Sequence, residues 1–257
     1  MTCEEKATLA RFLDLAGDYI RDGHARLRQQ QIFKDDVQEN KTALPLAYMI
    51  EEPEESEREH NDLEQLATEI AGCQACGLGE TRTRAVPGEG AEAPLVMVIG
   101  EGPGADEDAA GRPFVGKAGQ LLDRMLASIG LFRNKNCFIA NMVKCRPPGN
   151  RDPQAHEIAA CLPFLERQIN LLKPQLILCL GRVASQNLLK TSMGINQLRA
   201  SWGELRLAGG PQDSGETIPV LCTFHPSALL REESLKRPAW EDLKLLRAKL
   251  VSLDGEG

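Results

Sequence analysis

The sequence contains few aromatic residues and no long apolar segment. Aromatic residues make up 4% of the 257 residues, and no apolar run reaches the roughly 18 residues that a membrane-spanning helix needs. The N-terminus, MTCEEKATLA, lacks the basic and then apolar pattern of a secretory signal peptide. These absences predict a cytoplasmic protein without a membrane partner, in which the eight cysteines serve metal binding or catalysis rather than disulfides.

The sequence also lacks the excess of positive charge that is typical of nucleic-acid-binding proteins, since its formal net charge is −7. The acidity is confined to the N-terminal part of the chain. Residues 1–62 contain 15 acidic and 8 basic residues, whereas the remaining 195 residues contain 22 of each. A local basic groove on the main part of the protein is therefore compatible with the composition.

The composition changes near residue 60, where we place a domain boundary. Within residues 1–60, apolar positions recur at helical spacing from residue 4 to about residue 31. Residues 50–62, IEEPEESEREHND, are acidic and predict a linker or the solvated start of a helix. We expect this N-terminal helical extension to dock a protein partner or to fold back on the main domain, residues 61–257.

Beyond residue 71, short apolar runs alternate with helical patterns. The predicted strands are residues 95–99, 137–142, 176–180 and 220–224, and the predicted helices are residues 116–129, 153–172, 183–189 and 239–250. This alternation predicts an α/β fold of three layers, in which helices cover both faces of a central four-stranded parallel sheet. Ligands of such sheets bind beyond the carboxyl ends of the strands, so we expect the functional residues in the segments that follow them.

Four cysteines have a spacing that suits a metal centre. Cys73 and Cys76 form a CxxC turn before the first predicted strand, Cys145 follows the second strand, and Cys161 lies in the next predicted helix. Four soft sulfur ligands suit either a structural zinc ion or an iron–sulfur cluster, and the spacing does not distinguish the two. The three cysteines within the predicted strands are expected to be small buried apolar residues.

The turn after the first predicted strand, GEGPGADED, matches a dinucleotide-binding pattern but does not suit phosphate. Pro103 removes a backbone N–H that would hold a pyrophosphate, and the acids at residues 106–108 place negative charge where phosphate would lie. A neutral, flat ligand fits better, because Gly102 and Gly104 offer backbone amides at close range. Phe114 offers a stacking face and Asn141 a hydrogen-bonding amide, which together suit a nucleobase.

His225 follows the last predicted strand and opens the segment HPSALLR. The residues after it include two leucines and an arginine, namely Leu229, Leu230 and Arg231. Proteins unstack DNA by inserting apolar side chains into the base stack, helped by a cation near the phosphates. The segment therefore predicts a DNA wedge beside a functional histidine.

These motifs together resemble those of the family 4 uracil-DNA glycosylases, the iron–sulfur branch of that superfamily. The resemblance is carried by GEGPGADED, GRPFVGKAG, NMVKCRPPGNR and HPSALLR, with the four spaced cysteines, and covers roughly residues 70–250. It implies an enzyme that flips uracil out of DNA and hydrolyses its N-glycosidic bond. Release of uracil leaves an abasic site for base excision repair. The implied partner is uracil-containing DNA, and the protein is expected to be a monomer.

The resemblance also implies roles for individual residues of the substrate pocket. Glu101, Gly102 and Gly104 would line the uracil pocket. Phe114 would stack on the base, and Asn141 would read its Watson–Crick edge.

The remaining implied roles concern catalysis and the cofactor. His225 would face the departing uracil, and Glu107 or Asp108 would position or activate the attacking water. The implied cofactor is a structural [4Fe–4S] cluster, held by Cys73, Cys76, Cys145 and Cys161.

Two alternative functions remain open on the sequence. One is an iron–sulfur protein of the same fold that binds nucleic acid without catalysis. The other is a zinc-stabilised nucleotide-binding module, which Pro103 and the acidic turn disfavour.

Overall fold

The computed structural model of the protein describes residues 54–206 and 217–254. The helix predicted over residues 4–31 lies outside the described residues, and the domain boundary near residue 60 stays a prediction. Of the predicted acidic segment, the part from Glu54 onward begins a helix that runs to Gly72. Among the described helices, none is long and apolar enough to cross a membrane.

Six strands form one sheet within the described part of the chain. In chain order they are β1 (Glu89–Gly90), β2 (Val96–Gly100), β3 (Cys137–Asn141), β4 (Leu176–Leu180), β5 (Trp202–Leu205) and β6 (Ile218–Thr223). The order across the sheet is β1-β3-β2-β4-β6-β5. The four central strands are parallel, as predicted, and the edge strands β1 and β5 run antiparallel to their neighbours.

Helices lie on both sides of this mixed sheet, which confirms the predicted α/β class. The described helices are α1 (Glu54–Gly72), α2 (Leu78–Thr81), α3 (Ala105–Ala110), α4 (Lys117–Ala127), α5 (Ala155–Leu172), α6 (Gly181–Leu188), α7 (Ile195–Leu198), α8 (Pro226–Arg231) and α9 (Lys236–Asp254). Two 3₁₀ turns accompany them, at Pro148–Asn150 and Glu233–Leu235.

Three of the four central strands are buried along their whole length. Every residue of β2, β3 and β4 is buried, because helices on both sides of the sheet exclude water from both faces. This explains why these strands appear in the sequence as continuous apolar runs rather than as alternating ones. The three strand cysteines, Cys137, Cys179 and Cys222, are buried and free, as predicted.

The parallel arrangement brings the carboxyl ends of the central strands to one edge of the sheet. Gly100, the last residue of β2, pairs in register with Asn141, the last residue of β3. On the other side of β2, Leu180 at the end of β4 pairs with Thr223 at the end of β6. The segments that follow these four strands therefore meet at this edge, where the functional residues are predicted.

Candidate active site

A cleft of about 540 Å³ lies beyond the carboxyl ends of the central strands. Its walls come from the segments that follow β2, β3, β4 and β6. Of the eight residues predicted for the pocket and for catalysis, all but Asp108 line this cleft: Glu101, Gly102, Gly104, Glu107, Phe114, Asn141 and His225. A cleft of this size, with a few convergent polar groups, suits a small flat ligand.

Asn141 forms the floor of the cleft. Its side chain is 1% exposed, and its Oδ1 has no hydrogen-bond partner among the described residues. A buried acceptor without a partner is unfavourable, so this oxygen is suited to receive a donor from a ligand. A Cβ atom at Gly100 would lie 2.4 Å from Asn141 Oδ1 and 2.6 Å from Phe114 Cζ. Glycine at position 100 is therefore what allows the amide and the aromatic ring to meet.

Phe114 and His225 lie close together in the cleft. Their ring centroids are 5.6 Å apart, with 33° between the ring planes. Phe114 has a φ of 52°, a left-handed conformation that bulky side chains rarely adopt. Such a conformation persists only where surrounding contacts enforce it, and it concentrates at functional sites.

His225 caps the N-terminus of α8 in a way that fixes its tautomer. Its Nδ1 lies 3.2 Å from the backbone N and 2.8 Å from the Oγ of Ser227. Because a backbone N–H only donates, Nδ1 accepts, and the proton of the neutral ring lies on Nε2. Burial, and secondarily the charge of Arg231, lower the pKa of His225 to about 4. At neutral pH the ring is therefore an uncharged N–H donor.

Glu107 connects the glycine-rich turn to the segment that carries Phe114. One oxygen of its carboxylate accepts from Gly104 N at 3.1 Å. The other accepts from Val115 N at 2.9 Å and from Gly116 N at 3.0 Å. The carboxylate lies on the cleft wall and also caps the N-terminus of α3. The sequence alone predicts an acidic turn at this position.

Asp108, the other acid of the predicted pair, lies away from the cleft. Its side chain is 5% exposed and does not line the cleft. Its Oδ1 accepts from Thr83 N at 2.9 Å and from Arg84 N at 3.4 Å. Consecutive residues of a helix point about 100° apart, so only Glu107 of the two acids faces the cleft.

Comparison with known proteins identifies the family. Residues 87–244 match the uracil DNA glycosylase superfamily. The chain belongs to this superfamily. The match covers β2 to β6 and every residue of the cleft described above.

Several relatives of this superfamily are similar over most of the chain. The chain is 42% identical over 189 residues to the type-4 uracil-DNA glycosylase of Pyrobaculum aerophilum. The aligned region covers 72% of this chain and 92% of that protein. It is 41% identical over 184 residues to the type-4 uracil-DNA glycosylase of Thermotoga maritima, covering 71% and 91%. The type-5 enzyme of Pyrobaculum aerophilum is 31% identical over 160 residues, covering 57% and 67%. The resemblance drawn from the motifs is confirmed.

Only part of the predicted DNA wedge lies on the surface. Leu229 is 1% exposed and belongs to the core, whereas Leu230 is 40% exposed. Arg231 is exposed as well and lines the cleft. The helical turn of α8 directs Leu229 inward, and the wedge role of the two leucines stays a prediction.

A charged pair on the cleft of this superfamily member is not predicted from the sequence. Arg182, which follows β4, is paired with Asp152, and both line the cleft. Burial, and secondarily the charge of Asp152, raise the pKa of Glu101, while Arg182 opposes this rise. The segment GRVAS after β4 pointed to this region, but the pairing of its arginine depends on the tertiary fold.

The four predicted ligand cysteines of this superfamily member line one small cavity, together with Arg82 and Lys144. Three of the sulfurs accept hydrogen bonds. Arg82 Nη1 donates to Cys145 at 3.0 Å, Lys144 N to Cys161 at 3.2 Å and Ala75 N to Cys73 at 3.4 Å. N–H groups directed at sulfur are typical of the surroundings of metal-bound thiolates.

The cysteine side chains of this cavity are not arranged as the ligands of a bound metal ion. Ligands of one zinc ion lie about 2.3 Å from it and converge on one point. Within the described ranges, no three cysteine, histidine or carboxylate side chains converge in this way. Burial raises the pKa of Cys161 to about 11, so this sulfur is a neutral thiol unless a cation binds it.

Lys144 connects the cysteine cavity with the floor of the cleft. Its side chain is 1% exposed. Its Nζ donates to the backbone oxygen of Asn141 at 3.0 Å and to Gln168 Oε1 at 2.6 Å. Burial lowers the pKa of this amine to about 8. The same residue therefore contacts the main chain of Asn141 and the sulfur of Cys161.

Proposed function

We propose that this protein excises uracil from DNA by hydrolysing the N-glycosidic bond of deoxyuridine, as a base excision repair enzyme. The observation that carries the proposal is the unpartnered Oδ1 of Asn141, buried at the floor of a cleft that His225 and Phe114 also line. Membership of the uracil DNA glycosylase superfamily and the type-4 relatives support it.

The arrangement suits the charge separation of glycosidic cleavage. The transition state carries positive charge on the sugar, as in other glycoside hydrolyses, and negative charge on the leaving uracil. The Nε2–H of His225 is a neutral donor suited to a uracil oxygen that gains charge. The backbone amides near Gly102 add further donors, so the site acts in the manner of an oxyanion hole.

The same arrangement explains selection of uracil over cytosine. The Oδ1 of Asn141 accepts from uracil N3–H, and its Nδ2 donates to uracil O4. Cytosine has an acceptor at N3 and a donor at N4, which leaves both groups of the amide mismatched. Stacking on Phe114 adds affinity for either base, so selectivity depends on the amide.

The function is tested with an oligonucleotide that contains a single deoxyuridine. After incubation with the protein, alkali is expected to cut the strand at that position, and free uracil is expected in the supernatant. A matched oligonucleotide with deoxycytidine at that position should stay intact. Binding of the uracil strand without an alkali-labile site would instead favour the non-catalytic alternative.

We also propose that Cys73, Cys76, Cys145 and Cys161 hold a [4Fe–4S] cluster. The four sulfurs around one cavity and the N–H donors directed at three of them support this proposal, as do the type-4 relatives. When bound, the cluster would join the CxxC turn, the segment after β3 and helix α5 covalently. We propose a structural role for it, since the cavity is separate from the residues that line the cleft.

Protein purified without oxygen is expected to be brown and to contain iron and inorganic sulfide in equal amounts. Cys161→Ser removes a buried ligand and should abolish the colour, bind little iron and lower the melting temperature. The matched control is Cys222→Ala, which alters a buried cysteine of β6 and should keep the iron. A colourless protein with one zinc ion and no sulfide would contradict the cluster.

For DNA binding we propose that Leu230 enters the base stack while Arg231 contacts a phosphate. Leu230 is the exposed leucine of α8, and Arg231 lines the adjacent cleft.

For activation of water we propose Glu107. Of the two acids predicted for this role, it is the one whose carboxylate lies on the cleft wall. A monomeric state and a partner of the N-terminal extension stay predictions.

A further inference from the structure

The backbone around Phe114 is held by a residue that does not line the cleft. Arg133 lies in the connection between α4 and β3. Its Nη1 donates to the carbonyl oxygen of Pro113 at 3.0 Å, and its Nη2 donates to that of Phe114 at 3.0 Å. One guanidinium therefore fixes two successive peptide groups at the residue with the left-handed conformation.

Arg133 is itself held in place by two carboxylates. Its Nε and Nη2 donate to Asp123 Oδ1 at 3.0 and 2.8 Å, and its Nη1 donates to Glu89 Oε1 at 2.5 Å. With the two carbonyl bonds, each of the five N–H groups of the guanidinium has an acceptor. The side chain is 17% exposed. All donors of the planar guanidinium are thus engaged in hydrogen bonds, and a lysine ammonium cannot reproduce this geometry.

Two further contacts restrict the same segment. Glu107 accepts from the N–H groups of Val115 and Gly116, just after Phe114. In α4, a Cβ atom at Gly119 would lie 1.8 Å from the carbonyl oxygen of Phe114, so glycine is required there. Arg133 holds the carbonyls of the segment and Glu107 holds its N–H groups, which leaves the backbone at Phe114 little freedom.

We propose that Arg133 is a positioning residue for base recognition, which sets the orientation of the Phe114 ring against the flipped base. The inference rests on the proposed function, in which that ring stacks on uracil. Arg133 does not line the cleft, and the residue of the cleft wall that it hydrogen-bonds is Phe114. Its contribution to activity should therefore pass through the ring alone.

The test is a comparison of Arg133→Gln with wild-type protein. We expect kcat/KM on uracil-containing DNA to fall by about 10-fold to 100-fold, because a small misplacement of a positioning group has effects of this size. The inhibition constant of free uracil should rise, while affinity for DNA without uracil should not change. Arg133→Lys should recover only part of the loss. The matched control is Arg112→Gln, which removes the other partner of Glu89 and is 62% exposed.

A double-mutant cycle with Phe114→Leu separates positioning from general stability. If Arg133 acts through the ring, Arg133→Gln should cost little further activity once the ring is gone. An equal loss in both backgrounds, or an unchanged inhibition constant for free uracil, would overturn the proposal. If Arg133→Gln does not fold, the cycle is run with Asp123→Asn, which weakens the anchor of the guanidinium and should show the same dependence on the ring. Wild-type protein that releases no uracil would refute the proposed function, whereas additive losses in an active enzyme refute only this inference.

Discussion

His225→Ala is expected to slow uracil excision by about 10²-fold to 10³-fold, the usual effect of removing one donor to a developing anion. The ring supplies an uncharged N–H at Nε2, because Nδ1 accepts from Ser227 N. Alanine leaves uracil to depart without this donor. The effect should appear in single-turnover rates on DNA with one deoxyuridine, where product release does not contribute.

One control variant accompanies this prediction. His156→Ala removes an exposed histidine of α5 and should leave the rate unchanged.

In the wild-type enzyme the low pKa of His225 also predicts the pH at which activity falls on acidification. The ring stays neutral down to about pH 4, and protonation below that value places a proton on Nδ1 and breaks its bond with Ser227. A fall in rate near pH 6.5, the ordinary value for histidine, that is absent from the His225→Ala profile would argue against a buried neutral donor.

Asn141→Asp is expected to reduce uracil excision by about 10²-fold to 10⁴-fold, since polar sites reject ligands that leave buried groups mismatched. The substitution preserves shape and replaces the Nδ2 donor with an oxygen that faces uracil O4. The position is 1% exposed, so burial raises the pKa of the new carboxyl group. In its protonated form this group donates to cytosine N3 and accepts from cytosine N4. We therefore expect some cytosine excision, increasing as the pH is lowered.

The rates are measured on paired oligonucleotides that differ only in uracil or cytosine at one position. Asn196→Asp, in exposed α7, makes the same chemical change outside the cleft and serves as the control. Uracil excision at the wild-type rate by the Asn141 variant would show that another group reads the base.

The central sheet was predictable because its strands are buried on both faces and appear as continuous apolar runs. The edge strands were not. β1 has two residues, and β5, with the sequence WGEL, has only Leu205 buried. Both are identified by pairing with a central strand rather than by a pattern of their own.

Most of the cleft was predictable for a related reason. Phe114, Asn141 and His225 follow different strands, and parallel strands bring their carboxyl ends to one edge. The direction of side chains within short helices was not predictable, because it depends on the rotation of the helix about its axis. Asp108 follows Glu107, which faces the cleft, and Leu229 precedes the exposed Leu230. Asp108 and Leu229 nevertheless both point inward.

Other contributions arise only from the tertiary fold. Nothing near Arg133 in the sequence indicates that its guanidinium will contact the carbonyl of Phe114, 19 positions earlier. Gly100 is likewise ordinary in the sequence, as the first residue of a glycine-rich turn. Its importance is that the amide of Asn141 and the ring of Phe114 converge on its α-carbon.

Lys144 has a consequence for protein engineering. It lies between Asn141 and Cys145 on one short segment, and its ammonium supports the backbone of the first while its own amide donates to Cys161. The Asn141 segment and the sulfur cavity are thus parts of a single structural module. Transplanting the pocket onto another scaffold would require the cysteine loop to be moved with it.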